Sequence, residues 1–394
     1  KESFNKRAFC VKDKHLYIIN QFYVYNIDIS NPNDPVLVAR TLLSDLKNAY
    51  NIVWLDGETR QFPTNLTGVY IYGDKLIITT RMALNSMSEL LQPGTEECGS
   101  ITMLKLSDLS VVDQQIFKDR CQVSPGGIYE DVLVAGLVHG GVGAWKITDT
   151  GFQELLIQPK PEGMGAEYEY QGAAVDAEKG EIYLSQYKYG VKGYTINYDG
   201  TTLSLTEKEQ LKFYDVQDDD KKVFVGDGGQ WTHASMGLAI NDTHVFALIA
   251  PIRALLDEEG DGPLLSEEDN YSGVLVADKD NLQNYKLYKL PKSAVPAMNV
   301  DNGTDQQPMF ANFSDTNPDE LFVAIGDKGV CRYQWTEDDQ LVYLDRWGEE
   351  EKQPNGDALL EAEFVQVFDG KVYAIYRYVD DSKNLLLKSW DILR

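Results

Sequence analysis

The chain has 394 residues, with 62 acidic and 36 basic side chains and a formal charge of −26. That length holds a full hydrophobic core, and acidity without a basic stripe disfavours nucleic acid or an anionic membrane as the main partner. No run of about 18 apolar residues occurs, so no membrane-spanning helix and no membrane insertion are expected. The polar stretch from Lys1 to Arg7 carries no signal peptide, which predicts an intracellular chain or a mature or trimmed product.

The 23 Tyr, 14 Phe and 6 Trp, with Val, Ile and Thr in short bursts, favour strands. One burst type recurs along the chain: an apolar run, a turn, then a second run rich in Tyr, Val and Trp. It reads 16–20 then 22–29, returns as 76–80 then 101–106, and again as 132–138 then 142–147. The next copies are 182–186 then 191–197, and 245–250 then 273–277. The last two are 321–325 then 330–335, and 372–378 then 385–392. Most copies have a strand before the pair (68–72, 172–175, 235–240, 364–368) and most have one after it (35–41, 111–117, 153–158, 341–347).

Seven such units of four antiparallel strands predict an all-β fold, one seven-bladed β-propeller over residues 1–394. The spacing of 50 to 76 residues between units exceeds the usual repeat of about 40–50, so loops have been added. Two β-sandwiches would explain the strand content but not seven similar units. The last unit supplies three strands, and residues 3–6 are expected to close the ring as its fourth.

Unit one continues Val24-Tyr-Asn-Ile-Asp-Ile-Ser-Asn-Pro-Asn-Asp-Pro-Val-Leu-Val38. With Asp28, Ser30, Pro32 and Pro35 in place, it resembles the LVIVD-repeat propellers, a family of secreted or surface proteins. Asp and Ser bond the turn backbone and the prolines fix the entry into the outer strand. The segments 126–135 and 140–147 look like a second, weaker copy, and Leu106-Ser-Asp-Leu109 is a remnant. The resemblance is specific over about one unit. It implies a propeller in an extracellular, periplasmic or cell-surface setting and supplies no general catalytic residues.

With strands A to D running from axis to rim, the B–C and D–A connections share one face. The long connections are 81–100 and 251–272 (B–C), and 42–66, 215–231, 291–307 and 349–360 (D–A). All fall on that face, whereas turns such as 73–75, 241–243 and 369–370 on the other stay short. Loops elaborated on a rigid scaffold carry function. The candidate ligand-binding residues there are Trp231 with His233, Glu169 with Tyr170 and Gln171, His139, Tyr187 with Tyr189, and Gln307. Aromatic faces and amides in that mixture suit a glycan or a protein ligand.

No nucleophile elbow, zinc-protease motif or P-loop is present, and no catalytic residue is assigned. His15 and His244 start B strands and read as strand-end surface residues. Asp227, Glu167, Glu169, Asp305 and Asn48 could approach the channel-metal arrangement of propeller lactonases; chance placement among 62 acidic residues is the stronger reading. The segment 257–268 follows the twelve-residue calcium loop, with Asp257, Glu259 and Asp261 as ligands, Gly262 at the sharp turn and Glu268 closing the site. Glu259 at position 3 and Pro263 at position 7 depart from the pattern, so a calcium loop and a solvated acidic loop tip both stand. Cys98 and Cys121 belong to the elaborated face of one unit and are expected to form a disulfide, leaving Cys10 and Cys331 as buried free thiols. Four sequons, at Asn65, Asn241, Asn302 and Asn312, lean weakly toward a secreted product. The expectation is a secreted or cell-surface binding module for a glycan or protein, with calcium as the implied cofactor. A lactonase-like propeller hydrolase with a channel metal, and a structural or adhesive subunit, are the alternatives.

Overall fold

Each expected pair of bursts is a pair of antiparallel strands, and the sheets they form are the blades of a seven-bladed β-propeller. The computed structural model describes residues 8–19, 23–31, 34–42, 51–53, 57, 59–61, 65–81, 99–117, 122–138, 141–160, 170, 172–186, 189–213, 233–251, 271–290, 310–313, 317–326, 328–348, 360–378 and 385–392.

Blade 1 is β1 (Ala8–Lys12), β2 (His15–Ile19), β3 (Tyr23–Asp28) and β4 (Val36–Leu42). A hairpin of β5 (Asn51–Val53) and β6 (Thr59–Gln61) follows. Blade 2 is β7 (Asn65–Tyr72), β8 (Lys75–Arg81), β9 (Gly99–Lys105) and β10 (Val111–Phe117). Blade 3 is β11 (Gln122–Tyr129), β12 (Val132–Val138), β13 (Gly141–Ile147) and β14 (Phe152–Gln158). Blade 4 is β15 (Gly172–Asp176), β16 (Glu181–Ser185), β17 (Val191–Tyr198) and β18 (Leu203–Leu211). Blade 5 is β19 (His233–Ile240), β20 (His244–Pro251), β21 (Gly273–Asp278) and β22 (Tyr285–Lys289). Blade 6 is β23 (Phe310–Phe313), β24 (Glu320–Ala324), β25 (Val330–Trp335) and β26 (Leu341–Trp347). Blade 7 shows three strands, β27 (Leu360–Phe368), β28 (Lys371–Tyr378) and β29 (Leu385–Asp391). The closing strand expected at residues 3–6 lies outside the described residues.

The middle of the second strand is apolar in each blade because both of its faces are covered, although β8 ends in Thr79, Thr80 and Arg81. In β24 all five residues are buried, as are the last four of β16. The fourth strand faces solvent and reads as mixed polarity; Val36, Leu37 and Val38 of β4 are about half exposed. The hairpin β5–β6 differs from the plain loop expected at 42–66. Its strands are three residues each, too short to give a readable alternation.

The packing divides the chain into two units, residues 1–169 with 197–204, and residues 170–196 with 205–394. In the first, Trp145, Ile77, Ile101, Met103 and Leu133 form a core, and Phe117 tilts against Trp145 with ring centroids 5.2 Å apart. In the second, Tyr183 and Phe213 pack with Ile249 and Leu275, and Phe246, Trp335 and Tyr333 form a neighbouring cluster. Burying aromatic side chains of this size contributes a few kcal/mol each, roughly 1.5–3 for Phe by area alone.

The Asp-x-Ser motif works through an Asx turn. The Asp28 carboxylate accepts the Ser30 amide N–H at 2.7 Å, and Asp108 accepts that of Ser110 at 2.9 Å in the remnant copy. Hydrogen bonds from Ser30 hold the Asp28 carboxyl below its ordinary pKa. Asp199 repeats the device, accepting from Thr201 at 2.9 Å and Thr202 at 2.7 Å. Pro32 lies outside the described residues. A second repeated device is a bulge early in the first strand. It occurs between Leu66 and Gly68, Val123 and Gly126, Ser235 and Gly237, and Ala362 and Phe364. An extra residue there bends the strand.

Candidate functional site

The A–B and C–D turns are occupied with holding the blades together. A side chain from one blade reaches a turn of the next at each of several seams. In the first unit, Lys12 donates to the Gly73 carbonyl. Lys75 lies 3.4 Å from the Asp149 carboxylate, and Lys146 donates to the Gly200 carbonyl at 2.7 Å. In the second unit, Lys179 donates to the Asp242 carbonyl at 2.6 Å, and Lys286 and Tyr288 share the Asp339 carbonyl at 3.1 and 2.8 Å. These lysines use their stems as spacers and their ammonium groups as latches. His244 belongs to this system: its ring lies 4.8 Å from that of Trp335 and its Nδ1 lies 2.7 Å from the Thr243 hydroxyl. It is partly buried, and burial lowers its pKa, which corrects the reading of it as a surface residue.

Below the latch between blades 4 and 5 lies a charged cluster. Lys279 meets the Asp176 carboxylate at 2.6 Å with 1% and 11% of the two side chains exposed. Lys208 pairs with Glu181, and the Tyr183 hydroxyl donates to Glu181 at 2.8 Å. Burial, reinforced by Glu181, raises the Tyr183 pKa, so its phenol stays protonated.

The opposite end of that seam is built differently. The first strands of the two blades approach so closely that a Cβ on Gly172 would lie 2.7 Å from the Gly237 Cα. Ser185, ending β16, donates to the Ser235 carbonyl at 2.7 Å and lies 2.8 Å from its hydroxyl. The following B–C connection is a tight turn, with the Gln186 N–H on the Gly190 carbonyl at 2.7 Å and the Tyr189 N–H on the Gln186 carbonyl at 2.9 Å. Gly190 has φ of +90°, and a Cβ there would meet the Leu211 carbonyl at 2.1 Å, so only glycine fits. Gln210 Nε2 spans the turn, reaching Gln186 Oε1 at 2.7 Å and the Tyr189 carbonyl at 3.1 Å.

Three of the residues expected to bind ligand border this end. His233 is the first residue of β19, Tyr189 sits in the tight turn, and Tyr170 precedes β15. Tyr170 is 1% exposed, so its ring is packed inside and not displayed. Trp231, Glu169, Gln171, His139, Tyr187 and Gln307 lie outside the described residues. So do Asp257, Glu259, Asp261 and Glu268 of the calcium loop, Cys98 and Cys121, and the carboxylates weighed for a channel metal. Among the described residues no group of His, Cys, Asp and Glu could hold a metal ion. Cys10 and Cys331 are buried and form no disulfide, as expected, and burial pushes the Cys10 thiol far above its ordinary pKa. Ser185, Gln186, Gln210 and Ser235 are the polar residues that the sequence reading missed. The available signal was a polar pair, Ser185-Gln186, closing a wholly apolar run.

No family profile matches the chain, and no curated protein matches it. Solved structures do. The β-propeller domain of Cps50 (Swd1) from Myceliophteria thermophila aligns over 98% of this chain and 96% of its own, at 10% identity and a TM-score of 0.51. The periplasmic gluconolactonase PpgL of Pseudomonas aeruginosa aligns over 86% of this chain and 84% of its own, at 12% identity and 0.49. The N-terminal domain of Nup159 aligns over 94% and 87%, at 10% identity and 0.48. The first of these supports the propeller fold, and identity this low speaks to fold alone.

Proposed function

We propose that this chain is a secreted or cell-surface binding module of the LVIVD-repeat type, holding a glycan on the face formed by its B–C and D–A connections. The observation that carries the reading is the contrast between the two ends of each blade. At one end the turns are short and their carbonyls are taken by lysine latches from the neighbouring blade. At the other end long connections are inserted, beside a seam between blades 4 and 5 whose buried hydroxyl and amide groups bond one another. Trp231, Tyr187 and Tyr189 supply stacking faces, while His233, Gln171, Glu169, His139 and Gln307 supply polar contacts. A net charge of −26 turns away anionic sugars, so the ligand is an uncharged glycan. Calcium bound by Asp257, Glu259, Asp261 and Glu268 orders the 251–272 connection on the same face.

The test is binding of cellohexaose, mannohexaose and chitohexaose to the full chain and to two variants. Trp231→Ala should weaken binding by roughly 1–3 kcal/mol, the range of an aromatic anchor. Asp242→Ala on the short-turn face should leave affinity unchanged. An affinity controlled by Asp242 and not by Trp231 would put the site on the wrong face.

A further inference from the structure

We infer that Trp347 and Trp390 form a stacking subsite for the glycan at the seam of blades 6 and 7; the inference rests on the binding-module reading above. Of the four tryptophans among the described residues, Trp145 and Trp335 belong to the core, at 0% and 7% exposed. Trp347 and Trp390 are only partly buried, and both pack against the core of blade 7 at this one seam. Neither indole N–H has a hydrogen-bond partner among the described residues, and neither is sealed from water. A ligand can therefore reach both.

One residue ties the two rings together. Gly348 directly follows Trp347 with φ of +65°, and a Cβ on it would collide with the Tyr376 hydroxyl and lie 3.0 Å from Trp390 Cζ2. Only glycine lets the chain pass this close. Tyr376 is fully buried, and its hydroxyl donates to the Gly348 carbonyl at 3.1 Å. The Trp347 ring lies nearly parallel to that of buried Phe322, at 22° with centroids 5.9 Å apart. Phe322 covers one of its faces, so the part shown to water is the other face and the edge. The Trp390 ring is tilted 67° to that of Tyr376, with centroids 6.2 Å apart. Both indoles are thus backed by buried aromatic rings, which keeps small the entropy lost in ordering them on binding. The place suits the proposed face. Trp347 ends β26 where the long 349–360 connection begins, and Tyr376 lies two residues before the end of β28.

An indole offers a sugar two contacts at once. Its electron-rich face stacks on the C–H groups of a pyranose ring, and its N–H donates to a hydroxyl, ring or acetamido oxygen. Neither contact involves a charge, which matches an uncharged glycan. Stacking needs an open ring face and not a cavity. Packing of the seam alone would be served by phenylalanine at either position; the two unpaired N–H groups are what packing leaves unexplained.

The experiment is hydroxyl-radical footprinting of the full chain, read by mass spectrometry, with and without saturating cellohexaose, mannohexaose or chitohexaose. Oxidation of Trp347 and Trp390 should fall with the hexasaccharide that binds, while that of exposed Tyr343 on the rim of blade 6 stays unchanged. Calorimetric titration of Trp347→Phe and Trp390→Phe, which keep an aromatic ring and remove the N–H, should show binding weakened about three- to tenfold each, the worth of one hydrogen bond. Their Tm should stay near that of wild type. Unchanged affinity in both variants, or unchanged oxidation of the wild-type tryptophans on binding, overturns the subsite and leaves the module reading intact. A Trp390 that resists oxidation in the free chain is covered by a segment outside the described residues, which also overturns it. If neither variant folds, the footprint of the wild-type chain decides alone. If wild type binds none of the three sugars, the glycan reading and this inference fall together.

Discussion

Replacing Asp176 by asparagine should destabilise the fold more than replacing its partner Lys279 by methionine. The two groups meet at 2.6 Å with 1% of the lysine side chain exposed. Removing one member of a buried pair costs about 3–5 kcal/mol, because the other is left charged without water or partner. The two orphans differ, however. In K279M the Asp176 carboxylate keeps the backbone N–H groups of Glu178 at 3.1 Å and Lys179 at 3.0 Å, so the loss should sit near the low end, about 3 kcal/mol. In D176N the amide oxygen can still serve those two donors, but the Lys279 ammonium retains only the Tyr183 ring, 5.8 Å away. That loss should approach about 5 kcal/mol. The D176N/K279M double variant, with no buried charge, should be more stable than D176N alone. Urea unfolding followed by far-UV circular dichroism and by tryptophan fluorescence measures all three, provided the two probes give coincident transitions. The pH dependence has a fixed sign. Burial raises the Asp176 pKa, but Lys279 and the Lys179 and Glu178 amides outweigh it and hold the carboxyl below its unfolded value. The stabilisation is therefore complete above about pH 3.9 and disappears as pH falls through the lower folded value. The gap between wild type and K279M should close over that acid window. A D176N loss below about 1 kcal/mol, the size of an exposed ion pair, or a K279M loss larger than that of D176N, would refute the argument.

Three further outcomes are expected. Gly172→Ala should destabilise the chain by roughly 1–3 kcal/mol in the same assay, since its Cβ would sit 2.7 Å from the Gly237 backbone. Denaturation without reductant should release two reactive thiols, Cys10 and Cys331; a count of four would remove the Cys98–Cys121 disulfide and the main support for an oxidising compartment. Titration with millimolar calcium should show one site that Asp257→Ala abolishes, and a flat titration of the full chain would return residues 257–268 to a solvated loop tip.

The inner strands were legible because they are buried on both faces and so read as unbroken apolar runs. The expected 132–138 is β12 to the residue, and 182–186 falls one residue from β16. The rim strands were harder. The buried and exposed positions of β18 follow no clean alternation, and β22 is five residues of mixed polarity, so neither period nor length marks them. The Asx turns were legible from one motif because an Asp and the residue two on make the whole interaction. The site was less so. Lys279 looks like a surface residue in sequence and is buried only because Asp176, on the neighbouring blade, accompanies it. Gln186 likewise depends on Gln210, on the last strand of its blade, for its orientation. Such relations join positions far apart in the chain, and no local pattern holds them.

Among the described residues, buried polar atoms without a partner occur at both ends of the blades, at Asp131 Oδ1 in the A–B turn of blade 3 as well as at Gln186 Nε2. Long connections can accumulate without consequence, whereas a blade seam cannot leave a buried amide unpaired without losing stability. On the short-turn face the described turns use their carbonyls internally, in latches that a ligand could join only by breaking them. At the far end of the seam between blades 4 and 5, the hydroxyls of Ser185 and Ser235 satisfy each other and Gln186 is left over. A scaffold selected for stability alone would place an apolar residue at that position, as blades 3, 5 and 6 do with Leu137, Ile249 and Ile325.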